Sequence, residues 1–71
     1  MMLMSRTSVY QIQSLSPGRY KLTKIALLSG RSSTIDAGTW EGDCITFNDR
    51  GHIVLYAEGK PVIETSQIVN L

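Results

Sequence analysis

Hydrophobic and polar positions alternate along most of this chain, in short runs separated by turn residues. In "CITF", residues 44–47, Ile45 and Phe47 fall on one face and Cys44 and Thr46 on the other. A period of two is the mark of a strand. The next run, "HIVLY", puts Ile53 and Leu55 on one face and His52, Val54 and Tyr56 on the opposite one. Both faces are largely apolar, which predicts a strand covered on two sides, as in a small barrel. Between these runs "NDRG", residues 48–51, supplies a turn whose last residue accepts positive φ at least cost. Residues 58–60 mark a second turn, and Pro61 opens a further strand where its missing N–H is tolerated. "VIE" and "QIVNL" close the chain as one bent strand or as two.

The first half is less regular. "SVYQIQSL" alternates and reads as a strand. Residues 17–29 support two readings. Ser16 can cap a short helix that has Pro17 in its first turn and Gly30 beyond its end. Alternatively Pro17 and Gly18 turn the chain, and residues 20–28 form a strand with one bulge. On a helix Tyr20, Leu22, Ile25, Leu27 and Leu28 scatter around the axis, so the strand is preferred. With six glycines spaced along the chain, the pattern predicts an all-β fold. Its form is expected to be a sandwich or barrel of about five or six short antiparallel strands. A short helix at 17–29 is the alternative for that segment.

Length sharpens this picture. Seventy-one residues form one small domain, 1–71, which buries only roughly 60% of the surface its unfolded chain exposes. The usual staples are missing: Cys44 is the only cysteine, so there is no internal disulfide, and no set of four zinc ligands exists. Self-association is therefore an expected route to burying more surface. One cysteine also fits a reducing compartment. No apolar run approaches the roughly 20 residues needed to span a bilayer, and four apolar residues at the start are too few for a signal-peptide core. A soluble, cytoplasmic protein without a membrane partner is expected.

Net charge is only +1, but its distribution is uneven. Arg6, Arg19, Lys21, Lys24 and Arg31 precede the first acid. From Ser32 onward Asp36, Glu41, Asp43, Asp49, Glu58 and Glu64 face only Arg50 and Lys60. The two parts thus carry +5 and −4. The basic part can meet a polyanion, or the two parts can pair within one fold or between subunits.

Candidate chemistry is sparse. A nucleophilic Cys44 needs a base within reach, and His52 is the only histidine. Two such residues with no third group are better read as a buried small hydrophobe and a hydrogen-bonded or exposed ring. Glu41, Asp43, Asn48, Asp49 and His52 miss the ligand spacing of a calcium loop. "EGKP" lacks the first glycine and the Ser/Thr of a phosphate-binding loop. No enzyme, metal or cofactor is expected. What remains is a binding surface: Tyr10, Tyr20, Trp40 and Tyr56 interleave with Arg19, Lys21, Lys24 and Arg31, the combination that single-stranded nucleic-acid binders use.

"DAGTWEGDCITFNDRGHIVL" offers Gly38, Gly42 and Phe47, then Ile53, Val54 and Leu55, in an order that resembles the first motif of the Sm-like family. "KPVIETSQIVNL" is similar in length and rhythm to that family's last two strands. The resemblance covers residues 32–71. Asn48 stands where the family has Asp and His52 where it has Asn, and the spacing of Gly38 to Gly42 is one residue short. With the resemblance, the expected fold is a small SH3-like or Sm-like barrel of about five or six short antiparallel strands, and the resemblance implies a ring oligomer that binds RNA, with Asn48 and His52 near its pore. The expected function is non-enzymatic binding of RNA or single-stranded DNA, with Arg19, Tyr20, Lys21, Lys24, Arg31, Asn48 and His52 as contact residues. The alternative is a protein-interaction or assembly subunit that self-associates or joins a larger complex.

Overall fold

The computed structural model describes residues 1–28 and 31–69, with side chains for 1–25 and 38–69. It is all-β. The strands are β1 (Met2–Met4), β2 (Ser8–Ser16), β3 (Arg19–Leu28), β4 (Arg31–Gly42), β5 (Cys44–Phe47), β6 (Ile53–Ala57) and β7 (Lys60–Glu64). They form two antiparallel sheets, β1-β2-β3-β4 and β5-β6-β7.

The preferred strand at residues 20–28 is present as β3 (Arg19–Leu28), and two other readings are corrected. Among the described residues there is no helix at 17–29: residues 17–18 turn the chain and β3 follows. The strand wins because β3 has a partner on each side, with Ile12 opposite Leu22 on β2 and Trp40 opposite Leu22 on β4. Two ladders satisfy its backbone groups as well as a helix would, and alternation sends Leu22 inward and Lys21 and Thr23 outward. The slip expected near Ile25 is present, but the extra residues belong to β4: Lys24 pairs with Gly38 and Ala26 with Ser33.

The second correction concerns closure. Among the described residues seven strands replace the five or six expected, and they do not close into a barrel. β4 passes into β5 through Asp43 alone, whose amide donates to the Tyr56 carbonyl at 2.8 Å. On another side an isolated bridge joins Ser5 to Ile68, with the Val69 amide donating to the Met4 carbonyl at 2.8 Å. The sheets are therefore clasped at two places rather than joined by a continuous ladder.

Leu3, Tyr10, Leu22, Ile53, Leu55 and Ile68 form the core, with Ile12, Tyr20, Trp40, Ile45 and Ile63 packed against it. Ile53, Val54 and Leu55 are all buried, as the two-sided apolar pattern of β6 required. The Tyr10 hydroxyl lies 3.0 Å from Ser66 Oγ and accepts from the Ser66 amide at 3.1 Å. Burial pushes this phenol up, but the hydrogen bonds from Ser66 and Ser8 and the charge of Lys24 outweigh it, leaving the group below its ordinary value. Thr65 continues where the β7 ladder stops: its hydroxyl accepts from the Ile53 amide at 2.9 Å and donates to the Ser66 carbonyl at 2.9 Å. Among the described residues no buried side-chain nitrogen or oxygen lacks a partner.

Candidate binding surfaces

The basic residues do not gather on one surface. Arg19 and Lys21 project from the solvent face of β3, while Tyr20 and Lys24 alternate to the other face. Tyr20 packs against the core. Lys24 stands opposite Tyr10 and is half-buried. The side chain of Arg31 lies outside the described residues. Arg19 pairs with Glu41 at 3.1 Å, and Glu41 is also the cross-strand neighbour of Lys21. Both partners of the Arg19–Glu41 ion pair are exposed, so it adds little stability. Beside it a shallow depression is rimmed by Arg19, Glu41, Asp43 and Glu58, which is more acidic than basic.

Asn48 and His52 sit at the β5–β6 turn, and both are tied up. Asn48 Oδ1 accepts from the Arg50 amide at 3.0 Å and the His52 amide at 2.9 Å, closing the loop in the way asparagine commonly does. His52 Nδ1 lies 2.7 Å from the Thr65 carbonyl oxygen. A carbonyl can only accept, so Nδ1 carries a proton and donates it there. Glu64 Oε2 is 3.5 Å from the same nitrogen and 3.8 Å from Arg50. Cys44 pairs with Tyr56 at the far end of the hairpin. Four residues of strand, roughly 13 Å, separate it from the Asn48 end where His52 stands. Among the described residues no group of three His, Cys, Asp or Glu side chains could hold a metal ion. No described helix is long and apolar enough to cross a membrane.

An apolar concave surface lies elsewhere. An open cleft of about 380 Å³ runs between the sheets, lined by Leu3, Ile12 and Tyr20 on one side and Ile45, Phe47 and Ile53 on the other. Phe47 is 53% exposed at its rim. β5 is the edge strand there, hydrogen-bonded to β6 alone. The opposite edge of the same sheet, β7, carries Lys60, Pro61 and Glu64 and has an irregular register beside Tyr56. Those are the devices by which proteins block strand addition. β5, "CITF", carries no charge, no proline and no bulge within its four pairs. The local pattern puts Phe47 on one face with Ile45, and both line the cleft. The exposure of Phe47 follows from the cleft remaining open, which depends on contacts between distant segments. The missing charge on β5, against two charges and a proline on β7, was the one signal available in the sequence.

Neither a family model, nor a curated protein, nor a solved structure matches the chain.

Proposed function

We propose that this chain is a non-enzymatic binding module that associates with protein through the cleft between its sheets. One observation carries the reading: an undefended edge strand, β5, borders an apolar cleft with a large aromatic exposed at its rim. An extended segment laid along β5 gains main-chain hydrogen bonds from the edge, while its alternate side chains enter the cleft. The test is selection from a displayed peptide library, with Phe47→Asp as counter-selection. Expected binders alternate apolar residues, lose affinity to Phe47→Asp and keep it for Lys21→Ala. A library that yields no Phe47-dependent binder overturns the reading.

A second reading, binding of RNA or single-stranded DNA, rests on Arg19 and Lys21 standing on the same solvent face of β3. Glu41 pairs with Arg19 and stands across the ladder from Lys21, which is why the cleft carries the first reading. Phosphate contacts make affinity fall steeply with salt. Under this reading Arg19→Ala/Lys21→Ala abolishes salt-sensitive binding to a mixed pool of short RNA and DNA, and Glu41→Gln strengthens it. No binding at low salt removes it.

A further inference from the structure

Resting on the cleft reading, we infer that its occupant is a second copy of this chain, with β5 of each copy paired antiparallel about a two-fold axis.

The hydrogen-bond phase of β5 sets the geometry. The Asn48 amide donates to the His52 carbonyl at 2.9 Å, which makes that position a hydrogen-bonded one in the β5–β6 ladder. Antiparallel ladders alternate, so Phe47 opposite Ile53 is a position where neither residue bonds across. The other side of β6 agrees: the Ile53 carbonyl accepts from the Thr65 amide at 2.8 Å, and its own amide donates to Thr65 Oγ1, both away from β5. Ile45 and Phe47 therefore turn their amides and carbonyls to the free edge, while Thr46 bonds inward to Val54.

That phase is self-complementary. With Thr46 on the two-fold axis, Ile45 of one copy stands opposite Phe47 of the other, and Phe47 opposite Ile45. Each of these pairs can exchange two main-chain hydrogen bonds. Residues directly opposite share a face, so each Phe47 covers its partner's Ile45 on the cleft side and the two clefts become continuous. The result is a six-stranded sheet in the order β7-β6-β5-β5-β6-β7, whose outer edges are the strands blocked by Lys60 and Pro61. In a two-fold contact a residue near the axis meets its own copy, and β5 itself has no charged side chain to repel its copy; Asp43 and Asp49 face each other only beyond the ends of the ladder, where salt screens them. A stable interface of usual size buries about 800 Å² per partner. That is roughly a sixth of this chain's 4857 Å² surface.

The register makes a test at one residue. Thr46 opposite its copy is a non-hydrogen-bonded pair, with Cα atoms about 4.5 Å apart, within the range a disulfide spans. Cys44 falls opposite Asn48 of the other copy, so the native cysteines do not meet. Sedimentation equilibrium of the wild-type chain from about 1 µM to 1 mM should show the mass rising from 7.9 kDa toward twice that. Mild oxidation should link Thr46→Cys in a Cys44→Ser background into a covalent dimer, leave the wild type unlinked, and fail to link Thr46→Cys once Phe47→Asp is added. Phe47 is already half-exposed in one copy, so Phe47→Asp leaves the monomer folded, which circular dichroism checks. A wild-type monomer throughout that range, or crosslinking through Cys44 but not through position 46, overturns the inference. A monomer that still captures alternating apolar peptides through Phe47 overturns the second copy as occupant and leaves the cleft reading standing.

Discussion

Asn48 does more for this fold than its position at a surface turn implies. One side-chain oxygen holds two backbone amides, those of Arg50 and His52, and the Gly51 amide returns to the Asn48 carbonyl at 3.1 Å. Asn48→Ala leaves both amides without that acceptor and should cost about 1–2 kcal/mol, whereas Asn48→Asp keeps an oxygen in place and should cost less. Denaturant midpoints of the two variants check this, and equal losses would show that the oxygen is not what matters. Asn48 and His52 entered as nucleic-acid contacts through a family resemblance, and the structure gives both a local structural task. The turn itself was legible, because "NDRG" carries its own conformational preference. The tether from His52 to Thr65 was not, because its partner lies 13 residues away and is a backbone carbonyl that no side-chain pattern marks.

At the scale of elements, legibility follows how local the deciding contacts are. β5, β6 and β7 form a meander whose turns are written in adjacent residues: Gly51 at φ 84, then Glu58 and Gly59 both at positive φ, the signature of a two-residue hairpin turn. β1 is three residues long and exists through its pairing with residues 9–11, which nothing within Met2–Met4 announces. Residues 19–28 were ambiguous for the same reason: their partners Trp40 and Glu41 lie far along the chain. Where β4 crosses β6, the approach is close. A Cβ on Gly42 would fall on the Tyr56 carbonyl oxygen and lie 2.8 Å from Leu55 Cδ1. Backbone cannot move aside as a side chain can, so Gly42→Ala should cost about 1–3 kcal/mol. At roughly 4–8 °C per kcal/mol for a domain this small, a thermal melt reads it easily. An unchanged melting temperature would mean that the two sheets separate at little cost and that the Gly42 crossing does not clasp them.

For the molecule as a whole, the question is what so small a core can hold. Only seven described apolar residues are buried, while Met1, Phe47, Ile25 and Val69 remain among the exposed ones. A domain of this size gains little margin from its interior, so the β5 pairing inferred above would contribute to folding as well as to partnership. Mass action then ties stability to concentration, because a second copy binds the folded state and not the unfolded one. Raising wild-type concentration a hundredfold across the dissociation constant should lift the melting temperature by on the order of 5–10 °C. Phe47→Asp should melt at one temperature regardless of concentration, close to the dilute wild type, since it removes the contact without touching the core. Calorimetry of both chains at two concentrations decides the matter. A concentration-independent wild type would show that the open cleft is stable alone, and a Phe47→Asp chain that melts well below the dilute wild type would place Phe47 in the fold of the single copy.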